Sequence, residues 1–266
     1  MKYINVFSFI LSAILAYIIV PMVFHMLLQN DNTMESNYRN NKVPICMGLT
    51  FIFVQVISIG IIIILNRKDI LYIVYYLFAL VSMGLVGLLD DLIGDNKTKG
   101  FKGHIGSILR ADLSTGAIKA ITGFTVALFV SIVTTNTIIE IIINMLIIAL
   151  FTNLVNLFDL RPGRASKLFI LISIIMLYTS FIKHFNFLLF SFYGILLVYI
   201  PMDLNERAMM GDVGSNALGV TLGIFCFLTH SLSIKYLYLL VLIVTHIASE
   251  RVSFSKIIED NKILKF

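Results

Sequence analysis

Residues 70–91 read ILYIVYYLFALVSMGLVGLLDD. From Ile70 to Leu89 there is no charged side chain; then Asp90 and Asp91 stand side by side. About 20 apolar residues is the length a helix needs to cross the hydrocarbon core of a bilayer. The run is continuously apolar and lacks period-two alternation, so it reads as a helix and not as a barrel strand. Two carboxylates at the C-terminal end of such a helix oppose its dipole. At membrane depth they are costly unless they face a cavity, a cation or a partner. Close carboxylates also repel, which raises the pKa of one or recruits a divalent metal. A helix that ends in solvated acids is the plainer alternative.

Extending this reading along the chain gives nine spans: Tyr3–Leu28, Ile45–Leu65, Ile70–Leu89, Gly116–Thr134, Thr137–Phe158, Leu168–Ile182, Phe187–Pro201, Asn216–Ser231 and Lys235–Ser249. The composition agrees. Of 266 residues 59% are hydrophobic and 13% charged, with mean hydropathy +0.96. A soluble domain is about a quarter charged, and a disordered chain is poor in apolar residues. The fold class expected is therefore all-α, a polytopic transmembrane bundle forming one integral domain over residues 1–266. Residues 250–266 read as an amphipathic tail. Cys46 and Cys226 sit in apolar runs and read as small buried residues, not as a disulfide or metal pair.

Orientation follows from Lys and Arg in the connections. One side carries fifteen of the twenty, the other Lys2, Arg67, Lys68, Lys183 and Lys235. The richer side is expected to be cytoplasmic, with the N-terminus outside and the C-terminus inside. Among the acids only Asp69 and Glu140 fall on the outer side. The net charge of +5 then reports loops near anionic lipid, not nucleic-acid binding. A working surface at the cytoplasmic membrane face is expected.

Three further stretches put polar groups on that face. Asn153, Asn156 and Asp159 recur every third residue at the end of the fifth span. They read as the wall of a polar site, or as interhelical glue. Asp159-Leu-Arg161-Pro162-Gly163-Arg164 turns sharply and places two guanidinium groups near the acids, suited to phosphate or simply to positive-inside topology. Gly211-Asp212-Val213-Gly214-Ser215 precedes the eighth span. Its glycines let the backbone approach a ligand, and Ser215 is expected to cap that helix, whose N-terminus suits an anion. Lys97 and Lys102, in the loop after the acid pair, suit a polyphosphate or the lipid headgroups. Asp90, Asp91, Asp159 and Asp212 on one leaflet argue together for a metal–phosphate site.

At this point the chain resembles the polyprenyl-phosphate N-acetylhexosamine-1-phosphate transferases, the group that includes phospho-N-acetylmuramoyl-pentapeptide translocase, within glycosyltransferase family 4. The resemblance rests on four motifs in order: Lys42-Val-Pro44-Ile-Cys-Met47-Gly48, Asp90-Asp91, Asn153-x-x-Asn156-x-x-Asp159 and Gly211-Asp212-x-Gly214-Ser215. It implies transfer of a sugar-1-phosphate from a UDP-amino sugar to undecaprenyl phosphate, with Mg2+ and release of UMP, in bacterial cell-wall, peptidoglycan or surface-glycan synthesis. It implies Asp212 as the metal ligand, and Asp90, Asp91 and Asp159 as catalytic carboxylates with Asp90 as the base. Lys42, Lys97, Lys102, Asn153, Asn156, Arg161 and Arg164 would then bind substrate. A multi-pass protein of the plasma membrane, in contact with membrane lipid and able to form a homodimer, is the expected setting.

Two departures stand out. Where the family continues Asp-Gly-x-Asp-Gly-x-Ala, this chain reads Asp159-Leu-Arg161-Pro162-Gly163-Arg164-Ala165. The residues after Ser249 contain no His, where the family carries a His-rich motif and a tenth helix. The chain thus reads as a short, divergent member. The alternative is a non-catalytic relative that binds lipid phosphate or a cell-wall partner.

Overall fold

A computed structural model describes residues 3–94 and 114–251, the last two of these as backbone only. Lys97, Lys102 and most of the expected 250–266 tail lie outside the described residues. Among the described residues nine α-helices follow one another: α1 (Ile4–Leu28), α2 (Leu49–Asn66), α3 (Ile70–Ile93), α4 (Thr115–Thr134), α5 (Ile138–Phe158), α6 (Arg164–Thr179), α7 (Phe187–Leu204), α8 (Gly211–Thr229) and α9 (Leu232–Arg251). Eight of them are long and apolar enough to cross a membrane. α6, with 16 residues, is the exception. At 1.5 Å per residue it spans about 24 Å, short of the roughly 30 Å hydrocarbon core.

The turns alternate in character. At one end α2 passes to α3 through three residues, with Arg67 and Asp69 both left-handed at φ 45° and 52°. At the other end lie the connections 29–48, 159–163 and 205–210. The first of these carries a short antiparallel hairpin, β1 (Met34–Ser36) and β2 (Lys42–Pro44), with Met34 opposite Pro44.

Three helix starts differ from the expectations by four residues or more, each for a local reason. α2 begins at Leu49, not Ile45, because Lys42–Pro44 is taken up by the hairpin. The N–H groups of Met47 and Gly48 are likewise engaged, by the carbonyls of Met209 and Met210 at 3.1 and 2.9 Å. α6 begins at Arg164, four residues before the expected Leu168, directly after Gly163 at φ +75°. α8 begins at Gly211, five residues before the expected Asn216. Ser215 therefore lies within the first turns and does not cap them.

α8 is the axis of the bundle. Of its 19 residues only Asp212 is not fully buried. α5 packs closely on it because Gly219 and Gly223 have no side chain: a Cβ there would lie 2.5 Å from Thr152 Cα and 2.6 Å from Ile148 Cα. Two small residues four apart are the usual means of bringing membrane helices together. Mid-bundle, Gln55 donates to Tyr76 Oη at 2.8 Å and accepts from Ser191 Oγ at 2.6 Å. Tyr76 in turn meets Thr221 on α8 at 3.1 Å. Outward-facing positions are apolar, as Tyr17, Ile138 and Leu197 show, which suits contact with lipid.

Candidate active site

The site forms where the C-terminal end of α3 meets the N-terminal end of α8. Their backbones nearly touch: a Cβ on Gly87 would lie 2.6 Å from the Asp212 carbonyl. Asp91 fixes the join. Its carboxylate accepts from the backbone N–H of Asp212 at 2.8 Å and of Val213 at 3.3 Å. A carboxylate on the first free N–H groups of a helix is stabilised by the helix dipole. The anion site expected at the N-terminus of α8 is thus filled by the protein's own Asp91. Gly211, at φ +68°, is required twice over, since a side chain there would also strike Asp91 Oδ2 at 2.3 Å. The Cys46 thiol packs against Asp91, and burial together with that negative charge pushes it up. Cys46 is free and fully buried, as its apolar surroundings in the sequence implied, and it backs the acids.

Asp212 then faces Asp90 across the join, and Lys119 of α4 lies between them. Lys119 Nζ bonds Asp212 Oδ2 and lies 3.5 Å from Asp90 Oδ2. All three are partly buried, so the attraction is less screened than at an open surface. In the sequence Lys119 counts only as a positive-inside charge. Its contact with Asp212 spans 93 positions and leaves no local signature.

A cavity of about 170 Å³ opens beside this cluster. Asp91, Asp159, Arg161 and Asp212 line it, so residues from three separate stretches do converge. Asp159 caps the C-terminal end of α5. Burial and the like charges of Asp203, Asp212 and Asp91 hold its carboxyl well above the usual carboxylate range, with Lys119 opposing them weakly. Asp203 also lines the cavity and accepts from the Gly163 N–H at 3.0 Å, clipping the Pro162-Gly163 turn to the end of α7. Pro162 forms wall where the family pattern has a carboxylate.

The other sequence candidates scatter. Lys42 is exposed on β2 and is not among the lining residues. Asn153 is exposed and Asn156 partly buried on α5, and neither lines the cavity; the three-residue spacing turns them progressively away from Asp159. Arg164 opens α6 behind the turn. Arg161 lies over the Tyr38 ring at 4.4 Å. Tyr38 donates to Glu206 Oε1 at 2.5 Å, and Arg39 pairs with the same oxygen at 3.0 Å. Tyr38, Asp203 and Glu206 are cavity residues that reading the sequence did not single out.

Among the described residues no three His, Cys, Asp or Glu stand close enough to cage a metal ion unaided. Carboxylate pairs that converge on an ammonium are nonetheless oxygen donors already holding positive charge. Mg2+ is commonly held by one or two carboxylates, with substrate phosphates completing the shell. Asp90 and Asp212 fit that mode.

The model of glycosyl transferase family 4 matches residues 73–230, from α3 to just past α8. No curated protein matches the chain.

Proposed function

The chain belongs to glycosyl transferase family 4, and on that premise we propose that it moves a sugar-1-phosphate from a UDP-amino sugar onto undecaprenyl phosphate at the cytoplasmic face of a bacterial plasma membrane. The family, with eight apolar helices, supports a membrane glycosyl-1-phosphate transferase in general. The finer reading rests on one observation: Asp90 and Asp212, on different helices, converge on the Lys119 ammonium, and Asp212 also lines the cavity.

In this reaction an oxygen of the lipid phosphate bonds to the sugar-bearing phosphorus, and the bridging P–O bond to UMP breaks. Such transfer is mostly positioning and charge neutralisation. Asp212 and Asp90 would hold Mg2+, which supplies charge neutralisation and orientation of the diphosphate. Lys119 keeps the two carboxylates together before substrate binds and offers its N–H groups to phosphate oxygen. Asp91 acts through position, by fixing the start of α8 and with it the aim of Asp212. Asp159 lines the cavity, its carboxyl raised by burial and by the neighbouring acids.

Transfer of radiolabel from a panel of UDP-sugars into membrane lipid, with and without Mg2+, tests the reading. Mg2+-dependent label in lipid is the expected result. Pro162 in the cavity wall favours the second reading, a non-catalytic relative. That reading expects no label from any sugar, while undecaprenyl phosphate still protects the protein against heat.

A further inference from the structure

The hairpin between α1 and α2 forms the side of the cavity away from Lys119, and it contains an unused hydrogen-bond donor. Asn37 is 6% exposed and lines the cavity. Its Oδ1 accepts from the backbone N–H groups of Arg39 and Asn41 at 2.9 and 3.0 Å, which fixes the orientation of the amide. Its Nδ2 has no hydrogen-bond partner among the described residues. A buried donor left unmade costs free energy, so such an atom at a cavity wall marks a place where a ligand acceptor fits. The next residue ties the hairpin across the mouth: Tyr38 reaches Glu206 beyond α7 and lies under Arg161 from the α5–α6 turn. The tip is thus held against two other elements and is positioned to form a wall.

We propose that the hairpin tip is a donor-recognition element, in which Asn37 Nδ2 donates to a carbonyl or hydroxyl oxygen on the uncharged part of the nucleotide sugar while Tyr38, Glu206 and Arg161 hold the tip in place. This rests on the transferase reading. The charged diphosphate belongs with Lys119, Asp90 and Asp212. What remains for the Asn37 side is neutral and rich in oxygen acceptors, as both the nucleoside and the amino sugar are. The hairpin lies before the residues matched by the family model.

Asn37→Asp and Asn37→Ala test it together. The aspartate keeps Oδ1 for the two backbone bonds but replaces the Nδ2 donor with an acceptor and adds a negative charge, so the loss is read on uridine, an uncharged probe, as well as on the nucleotides. Asn37→Ala removes both. The probes are UDP-N-acetylglucosamine, UMP and uridine, each with Mg2+, on the full chain in nanodiscs. The readouts are thermal stabilisation by the probe and, for the sugar nucleotide, KM and kcat with undecaprenyl phosphate. One lost hydrogen bond corresponds to about tenfold weaker donor binding. Asn37→Asp should show that loss, with kcat and the acceptor KM close to wild type and the protein still folded by thermal scan. Equal weakening of all three probes assigns the contact to the nucleoside; weakening of the sugar nucleotide alone assigns it to the sugar. Tyr38→Phe, which keeps the ring under Arg161 but breaks the bond to Glu206, should weaken donor binding a few-fold. Asn37→Asp with wild-type donor binding, and only Asn37→Ala impaired, would show that Asn37 merely shapes the turn and would overturn the proposal. A wild-type chain that neither binds nor turns over these nucleotides would instead remove the transferase reading, and this inference with it.

Discussion

The two ends of the bundle both bury polar and titratable side chains, and they arrange them in opposite ways. At the end opposite the cavity, His230 Nε2 meets Thr179 Oγ1 at 2.9 Å and Nδ1 meets Thr229 Oγ1 at 2.9 Å. Thr179 also meets Tyr238 at 2.9 Å. Lys235, 7% exposed, lies 5.1 Å over the Phe227 ring. These contacts join α6, α8 and α9 with hydrogen bonds that satisfy one another. At the cavity end, Lys119 lies between Asp90 and Asp212, while Asp91 and Asp159 line the cavity with carboxyls raised by burial and by neighbouring acids. Paired groups hold helices together; an excess of one charge sign in partial burial is maintained only where positive charge from outside is to be received. The difference teaches that buried polarity alone does not mark a site in a membrane bundle, whereas converging like charge beside a cavity does.

The sharpest break between the ends is functional. Asp212→Asn should lower transfer by about 1,000-fold or more, the scale of losing a group that stabilises transition-state charge. The protein should remain folded and elute unchanged from a sizing column. His230→Gln, a comparable change at the other end, should leave turnover at the wild-type level. Full turnover by Asp212→Asn would erase the distinction.

Lys119→Gln should follow, with transfer reduced by about 100-fold, since a charge-assisted partner of both carboxylates is gone. It should also make Mg2+ a stronger stabiliser. With the ammonium absent, the cation relieves repulsion between Asp90 and Asp212, so the rise in melting temperature on adding Mg2+ should exceed that of wild type. An equal rise in both proteins would separate Lys119 from the cation site.

Gly87→Ala tests how tightly the active end is built. A Cβ 2.6 Å from the Asp212 backbone forces α3 and α8 apart. Overpacking of this kind costs about 1–3 kcal/mol. Both the melting temperature and transfer should fall, read by thermal scan and label incorporation.

The smallest effects concern pH, and their signs differ between the ends. Asp159 is raised in the folded protein, so its proton is held more tightly there than in the unfolded chain. Its contribution is therefore lost as pH rises above the ordinary carboxylate value. Burial, with the charges of Lys235 and Lys183, lowers His230 from 6.5 to about 4. Its contribution is lost as pH falls from 6.5 toward about 4. Asp159→Asn should flatten the alkaline side of the melting-temperature profile, and His230→Gln the acid side. Reversed assignments would show that these groups do not govern the two limbs.

Much of the bundle was legible because membrane spans are written in continuous runs such as Ile70–Leu89 and Ile138–Phe158. The acid pair, Asp159 and Asp212 were legible because charge at the end of such a run is conspicuous. What was hidden depends on contacts between distant positions. Lys119, in the first turn of the expected span Gly116–Thr134, looks like any positive-inside charge until α4 places it beside Asp212. Glu206 and Tyr38 lie 168 positions apart, and neither stretch hints at the other. The start of α8 was misread because the group that caps it, Asp91, belongs to another helix. Asn153 and Asn156 were over-read: a helix turns about 100° per residue, so spacing by three drifts off a face within two turns.

The most direct measurement is release of UMP from a UDP-amino sugar in nanodiscs containing undecaprenyl phosphate, for wild type and Asp212→Asn side by side, across a Mg2+ titration. The account predicts release that rises with Mg2+ in the wild type and stays at background in a folded variant. Release that ignores Mg2+, or that persists in Asp212→Asn, would contradict it.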